Sequence, residues 1–134
     1  SEVGYNYRLP NINAALGLAQ FKKLKKILYA KKKIFNRYKS EFKKIKDIKL
    51  LEPVKNCKSN YWLNTIILKQ NSFSTRNYIL NYLNKNGIGA RPCWKLLHRV
   101  KYLSKYPKMN LSQSENLEKN IINIPSSPKY GMNS

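Results

Sequence analysis

Between Gly4 and Pro10 the chain reads Gly-Tyr-Asn-Tyr-Arg-Leu-Pro, so two aromatics, an amide and a guanidinium stand immediately ahead of a helix start. A helix N-terminus offers unpaired N–H groups and the positive end of the backbone dipole, and arginine adds a forked donor. This grouping suits a phosphate or a sugar. A plain helix-entry loop with a solvated Arg8 has the same composition, and the residues alone leave both readings open. Elsewhere the chemistry is sparse. His98 is the single histidine, and a lone imidazole between Leu97 and Arg99 reads first as a surface or packing residue. The six carboxylates, Glu2, Glu41, Asp47, Glu52, Glu115 and Glu118, have the spacing of neither a metal site nor a glycosidase pair. Gly87 and Gly89 lack the rest of a phosphate loop. Cys57 and Cys93 form no CxxC pair or zinc spacing and are too few for a disulfide framework. These residues describe a folded module rather than a self-sufficient enzyme.

The elements that would position them are legible from periodicity. From Pro10 to about Lys44, Ile12, Leu16, Ala19, Leu24, Ile27, Leu28, Ile34, Phe35, Tyr38 and Phe42 recur at helical spacing, which predicts one long helix, bent at most once. Pro10 suits its first turn, and Ala14, Ala15 and Gly17 allow close packing there. Tyr61–Leu68 is short, aromatic and β-branched, and predicts a buried strand. Ser74 is the expected cap of a helix carrying Tyr78, Ile79, Tyr82 and Leu83, with Gly87 as its left-handed terminator. A short strand broken by Pro92 is expected over Ile88–Trp94. A capping box, Ser112-Gln-Ser-Glu115, opens a last helix to about Ile121, and Ile122–Pro125 is a candidate third strand. The tail from Ser126 to Ser134 is expected to be poorly ordered. The fold class is α+β: residues 1–45 form a loop and long helix, and residues 46–134 a small αβ domain.

The 134 residues carry 27 Lys plus Arg against 6 Asp plus Glu, a net charge of +21. Twelve lysines and Arg37 lie between Lys22 and Lys49, opposed only by Glu41 and Asp47. Such charge raises nucleic acid or an acidic surface as partner. Two observations weigh against that: the excess is lysine (22) rather than arginine (5), and Lys, Asn and Ile, all with A/T-rich codons, dominate the composition. The apolar fraction of 42% is enough for a core, and no apolar run approaches a membrane span. No signal peptide opens the chain, so a cytoplasmic protein is the expectation, and a start at Ser1 directly on a dense motif suggests part of a longer protein.

The stretch Gly4-Tyr-Asn-Tyr-Arg-Leu-Pro-Asn-Ile-Asn-Ala-Ala-Leu-Gly17 resembles a motif of the DegT/DnrJ/EryC1/StrS family of pyridoxal-phosphate-dependent sugar aminotransferases. Tyr61–Asn64, Gly87–Pro92 and Asn123–Ser127 resemble further family segments in the same order, so the resemblance covers almost the whole chain. The wording Ser59–Asn64, Arg91–Trp94 and Ile124–Ser127 is most similar to the branch that aminates UDP-4-keto sugars on the route to legionaminic acid. The resemblance implies the small C-terminal domain of a type I aminotransferase fold, about the last third of such an enzyme. It implies that Asn6 and Arg8 lie at the cofactor phosphate, Asn6 reaching it in the neighbouring subunit of a homodimer. It places Arg91 and Trp94 on the side facing the nucleotide-sugar substrate, and sets His98 only loosely beside a downstream histidine of other branches. No lysine here matches the Schiff-base motif, so no catalytic residue is nominated and the chain alone is expected to be inactive.

The rival reading is a basic binding module, which would interleave aromatics along a groove, whereas these tyrosines fall mainly on helical apolar faces. Oligonucleotide binding is therefore expected to be weak and to fall steeply across a salt series. Submicromolar, sequence-selective binding at physiological salt would favour the rival instead.

Overall fold

The computed structural model describes Gly4, residues 7–70 and residues 72–132. The periodic N-terminal segment forms two helices, α1 (Asn11–Phe21) and α2 (Leu24–Phe42), with the break at Lys22–Lys23. They differ in what they bury. Along α2, Ala30, Ile34 and Phe35 recur on one face and enter the core, while the lysines between them face water. α1 buries nothing: Ile12, Leu16, Leu18 and Phe21 are all exposed.

Four short strands make one antiparallel sheet in the order β1 (Ile48–Leu50), β2 (Asn64–Leu68), β4 (Ile121–Ile124), β3 (Arg91–Pro92). In β2 and β4 fully buried residues alternate with half-buried ones, and Ile66 stands opposite Ile122 at the centre. Phe35 of α2, Leu80 of α3 (Phe73–Lys85) and Ala90 close over Leu50, Ile66, Leu68, Ile122 and Ile124. The expected strand over Ile88–Trp94 shrinks to two residues. Pro92 has no N–H to donate, which confines it to the sheet's edge. The candidate third strand is β4, the central partner of β2, and β1 is a strand that the lysine-rich sequence around it conceals.

Helix α3 is capped by Ser72, whose hydroxyl accepts from the Thr75 N–H at 3.5 Å, rather than by Ser74. Both residues are competent cap types, but Ser72 has the extended backbone a cap requires, and Ser74 lies within the first turn. The other end follows the sequence. Gly87 is left-handed at φ +75°, Ile88 N–H donates to Leu83 O (2.9 Å) and Gly87 N–H to Asn84 O (3.1 Å), the paired bonds of a Schellman terminus. Helix α4 (Ser112–Asn120) begins at Ser112 with no side-chain cap, so the expected capping box does not form. Glu115 is drawn instead to the His98 ring and to the Arg99 guanidinium, whose charge makes it a stronger partner than a backbone amide.

The tail is ordered where it is described. Ser126 is hydrogen-bonded to Lys31, and α5 (Lys129–Met132) packs on α2. Burial rather than terminal position decides order here. Tyr38 donates its hydroxyl to Pro125 O at 3.1 Å; burial, aided by Tyr130 and opposed by Arg37, pushes the phenol above its ordinary range and keeps it a donor. The α5 contact requires glycine, because a Cβ on buried Gly131 would lie 2.2 Å from Ala30 O and 2.8 Å from Ala30 C. Gly131→Ala is expected to destabilise the chain by about 1–3 kcal/mol, read as a lower urea midpoint. The obstructing atoms are backbone, so Ala30→Gly should not restore it.

Candidate functional site

Register brings distant segments together at one end of the sheet. Asn64 pairs with Ile124, Thr65 with Asn123, and Asn123 in turn with Arg91. Directly opposed residues share a face, so Thr65, Asn123 and Arg91 form a polar row on the face opposite the buried isoleucines. Thr65 Oγ1 donates to Asn123 Oδ1 at 2.8 Å, and Asn123 Nδ2 to Pro92 O at 3.4 Å. Beyond this row opens a cleft of about 520 Å³, whose walls include Leu63, Arg91, Cys93, Trp94, Asn123 and Ser126. Arg91 is the one charged side chain among the residues lining it. Two sequence candidates, Arg91 and Trp94, therefore meet in one concavity.

What holds Arg91 there is Asn84, the penultimate residue of α3. Its amide accepts from Ala90 N–H at 3.2 Å and donates to Ala90 O at 2.9 Å and Leu80 O at 2.8 Å. The segment leading into β3 is thereby fastened to the helix that precedes it.

Lys31 fixes the opposite wall. From α2 its ammonium reaches Ser126 O at 2.7 Å, Ser126 Oγ at 3.4 Å and Tyr61 O at 3.3 Å, with Trp62 O at 3.5 Å. Burial lowers the pKa of this lysine, and the acceptors are backbone and hydroxyl oxygens rather than a carboxylate. Tyr61, held at φ +50°, is an aromatic residue in the left-handed region, and its ring packs 5.0 Å from Phe35. Sequence reasoning named neither Lys31 nor Asn84. One lysine in a lysine-rich helix and one of 17 asparagines carry no local mark.

Cys93 lines the cleft as a thiol: burial and the nearby Glu118 raise its pKa against the opposing influence of Arg76 and a backbone hydrogen bond. His98 is not on the cleft wall. Its Nε2 lies 3.0 Å from Glu115 Oε1, while Arg99 contacts Glu115 at 3.7 Å and Glu118 at 2.9 Å. Arg76 donates to Glu118 O, so this cluster ties α3, the turn at Leu97–Arg99 and α4 to one another. Arg8 is exposed just ahead of α1, whose first turn has no side-chain cap. Asn6 lies outside the described residues. No group of three or more His, Cys, Asp or Glu fit to hold a metal occurs among the described residues.

The sequence pattern of the DegT/DnrJ/EryC1/StrS aminotransferases matches residues 1–133. The chain belongs to that family. It is 33% identical over 129 residues to GDP-perosamine synthase of Vibrio cholerae, covering 94% of this chain and 34% of that one. It is 30% identical over 125 residues to the UDP-4-amino-4,6-dideoxy-N-acetyl-beta-L-altrosamine transaminase of Campylobacter jejuni, covering 92% and 33%. Escherichia coli GDP-4-keto-6-deoxy-D-mannose-3-dehydratase, solved with bound hydrated PLP, shares the fold at a TM-score of 0.76 and 24% identity, over 93% of this chain and 33% of that one. The chain thus spans between a quarter and a third of the length of the curated relatives it matches.

The Asn84 clamp gives a direct test. Asn84→Ala leaves both polar groups of buried Ala90 without their side-chain partner, and a loss of about 1–3 kcal/mol in chemical denaturation is expected. Asn84→Asp, which keeps the acceptor for the Ala90 N–H but turns a carboxylate oxygen toward Leu80 O and Ala90 O, should lose at least as much as Asn84→Ala.

Proposed function

We propose that the chain is the C-terminal portion of a cytoplasmic, pyridoxal-phosphate-dependent nucleotide-sugar aminotransferase. The complete enzyme moves an amino group from an amino acid such as glutamate to a UDP-4-keto sugar, in the branch leading to legionaminic acid, and works as a homodimer. The observation that carries this reading is convergence. Three family-like segments far apart in sequence, Tyr61–Asn64, Gly87–Pro92 and Asn123–Ser127, contribute to one cleft or its rim. In this reading residues 1–45 are the active-site loop and linking helix, and residues 46–134 the small domain. The exposed apolar residues of α1, Ile12, Leu16, Leu18 and Phe21, are the surface on which the rest of the enzyme seats.

Bound pyridoxal phosphate supplies an electron sink for amino-group transfer. The donors present here fit its phosphate end: Arg8 stands beside a helix start with no side-chain cap, and Asn6 adds an amide across the dimer interface. The residues that grip its ring and bond its aldehyde belong to the preceding part. Arg91 and Trp94 take the substrate side. His98, engaged with Glu115, acts by bracing the loop after Trp94 rather than by touching substrate.

The complete enzyme should convert glutamate to 2-oxoglutarate in step with amination of a UDP-4-keto sugar, whereas the 134-residue chain alone should not. Absence of 2-oxoglutarate from the cofactor-loaded complete protein, with several keto-sugar nucleotides tried, would overturn the assignment. Asn6→Ala should weaken cofactor retention by about tenfold, as expected for one neutral hydrogen bond of about 1–2 kcal/mol, and Asn6→Asp by more, since it sets a carboxylate against the phosphate. In verified heterodimers, an Asn6→Asp subunit paired with one lacking the cofactor-bonding lysine should recover activity at one site if the contact is made in trans.

A further inference from the structure

Trp62 and Trp94 are the chain's two tryptophans, and the fold sets them side by side with ring centroids 5.7 Å apart and planes at 35°. Neither serves the core: Trp62 is 62% exposed and Trp94 67%. A ring inserted between two others needs their centroids about 7 Å apart, twice the contact distance of about 3.5 Å, so nothing planar fits between these two. Both rings remain largely exposed, and together they make one aromatic surface that reaches the cleft through Trp94.

The backbone beneath Trp62 is held far more firmly than its own side chain requires. Ser59 Oγ accepts from the Tyr61 N–H and Asn60 Oδ1 from the Trp62 N–H, each at 3.0 Å. Lys31 and the Ser126 hydroxyl both donate to Trp62 O. The residue before it keeps a left-handed backbone that aromatic side chains disfavour. A strained backbone persists only where its surroundings over-determine it, and such positions cluster at ligand clamps and active sites. Trp94 lines the cleft itself, on the same wall as Arg91, whose guanidinium has no carboxylate partner among the described residues.

We propose that this platform takes the nucleoside diphosphate of a nucleotide-sugar substrate, the base stacking on the Trp62–Trp94 surface and the diphosphate meeting Arg91. The inference rests on the reading of the chain as part of a nucleotide-sugar aminotransferase, and adds to it Trp62 as a binding residue and Lys31 as the positioning residue that sets it. Base stacking uses the π-face that every base has, and the forked guanidinium matches diphosphate oxygens. The platform therefore recognises a nucleoside diphosphate with little choice of base.

Because the chain has no other tryptophan, its indole fluorescence reports on this pair alone. The 134-residue chain is titrated with UDP, GDP, uridine and inorganic pyrophosphate, with excitation at the red edge of indole absorption. Saturable quenching by UDP and GDP is expected, with dissociation constants within about tenfold of each other. Uridine should quench with about tenfold weaker affinity, and pyrophosphate not at all, since it has no ring to stack. Arg91→Gln should weaken UDP about tenfold and leave uridine unchanged, and Trp94→Leu should weaken both. Lys31→Met should weaken UDP while far-UV circular dichroism stays native, with Lys31→Arg restoring part of the affinity. A chain with native circular dichroism that UDP does not quench saturably overturns the proposal, as does equal quenching by pyrophosphate, or wild-type UDP affinity in both Arg91→Gln and Trp94→Leu. The readout needs no transamination. UDP quenching in a protein that never turns over would sink the aminotransferase reading alone, and transamination without quenching would sink this inference alone.

Discussion

The pairing of β2 with β4 is the constraint on which the rest of the structure depends. Their registered pair Thr65 and Asn123 is 58 residues apart in sequence, and the isoleucines they oppose form the centre of the core. Moving the register by one residue would turn Ile66 and Ile122 away from Phe35 and Leu80 and put Thr65 and Asn123 in their place. The buried face therefore fixes the register strongly. The opposite face inherits that precision without contributing much burial, and the polar row of Thr65, Asn123 and Arg91 is aligned by residues that never touch it.

Around this sheet the charged and polar groups do two kinds of work. Glu115 and Glu118, with His98, Arg99 and Arg76, join α3 and α4 through ion pairs and a backbone acceptor, so that part of the small acidic complement is structural. Lys31 and Asn84 act on the walls of the cleft. Each is a side chain that satisfies backbone oxygens or an amide of an irregular segment, which is what allows such segments to keep one conformation without a ladder of their own. A site built at strand ends is held rigid in this way by side chains on the neighbouring helices.

The sequence by itself determined the local elements, because their signals are local. The Ile34, Phe35, Tyr38 and Phe42 spacing specifies a helix face. Gly87 specifies the end of α3, since only a left-handed residue there closes the paired terminal bonds, and the β-branched run ending at Leu68 specifies a strand. The family motifs at Arg91 and Trp94 likewise stand in the chain as written. Tertiary structure decided the rest. Ser72 rather than Ser74 caps α3 because backbone geometry, not residue type, makes a cap, and Glu115 leaves its box because His98 and Arg99 arrive from outside the helix. Lys31 is indistinguishable from its neighbours until the fold brings Ser126 within 2.7 Å, and Gly131 is an ordinary tail glycine until Ala30 fills the space of its missing side chain. For Glu115, Lys31 and Gly131 the reason is the same: their partners come from other elements, and periodicity carries no information about which distant atom will be close.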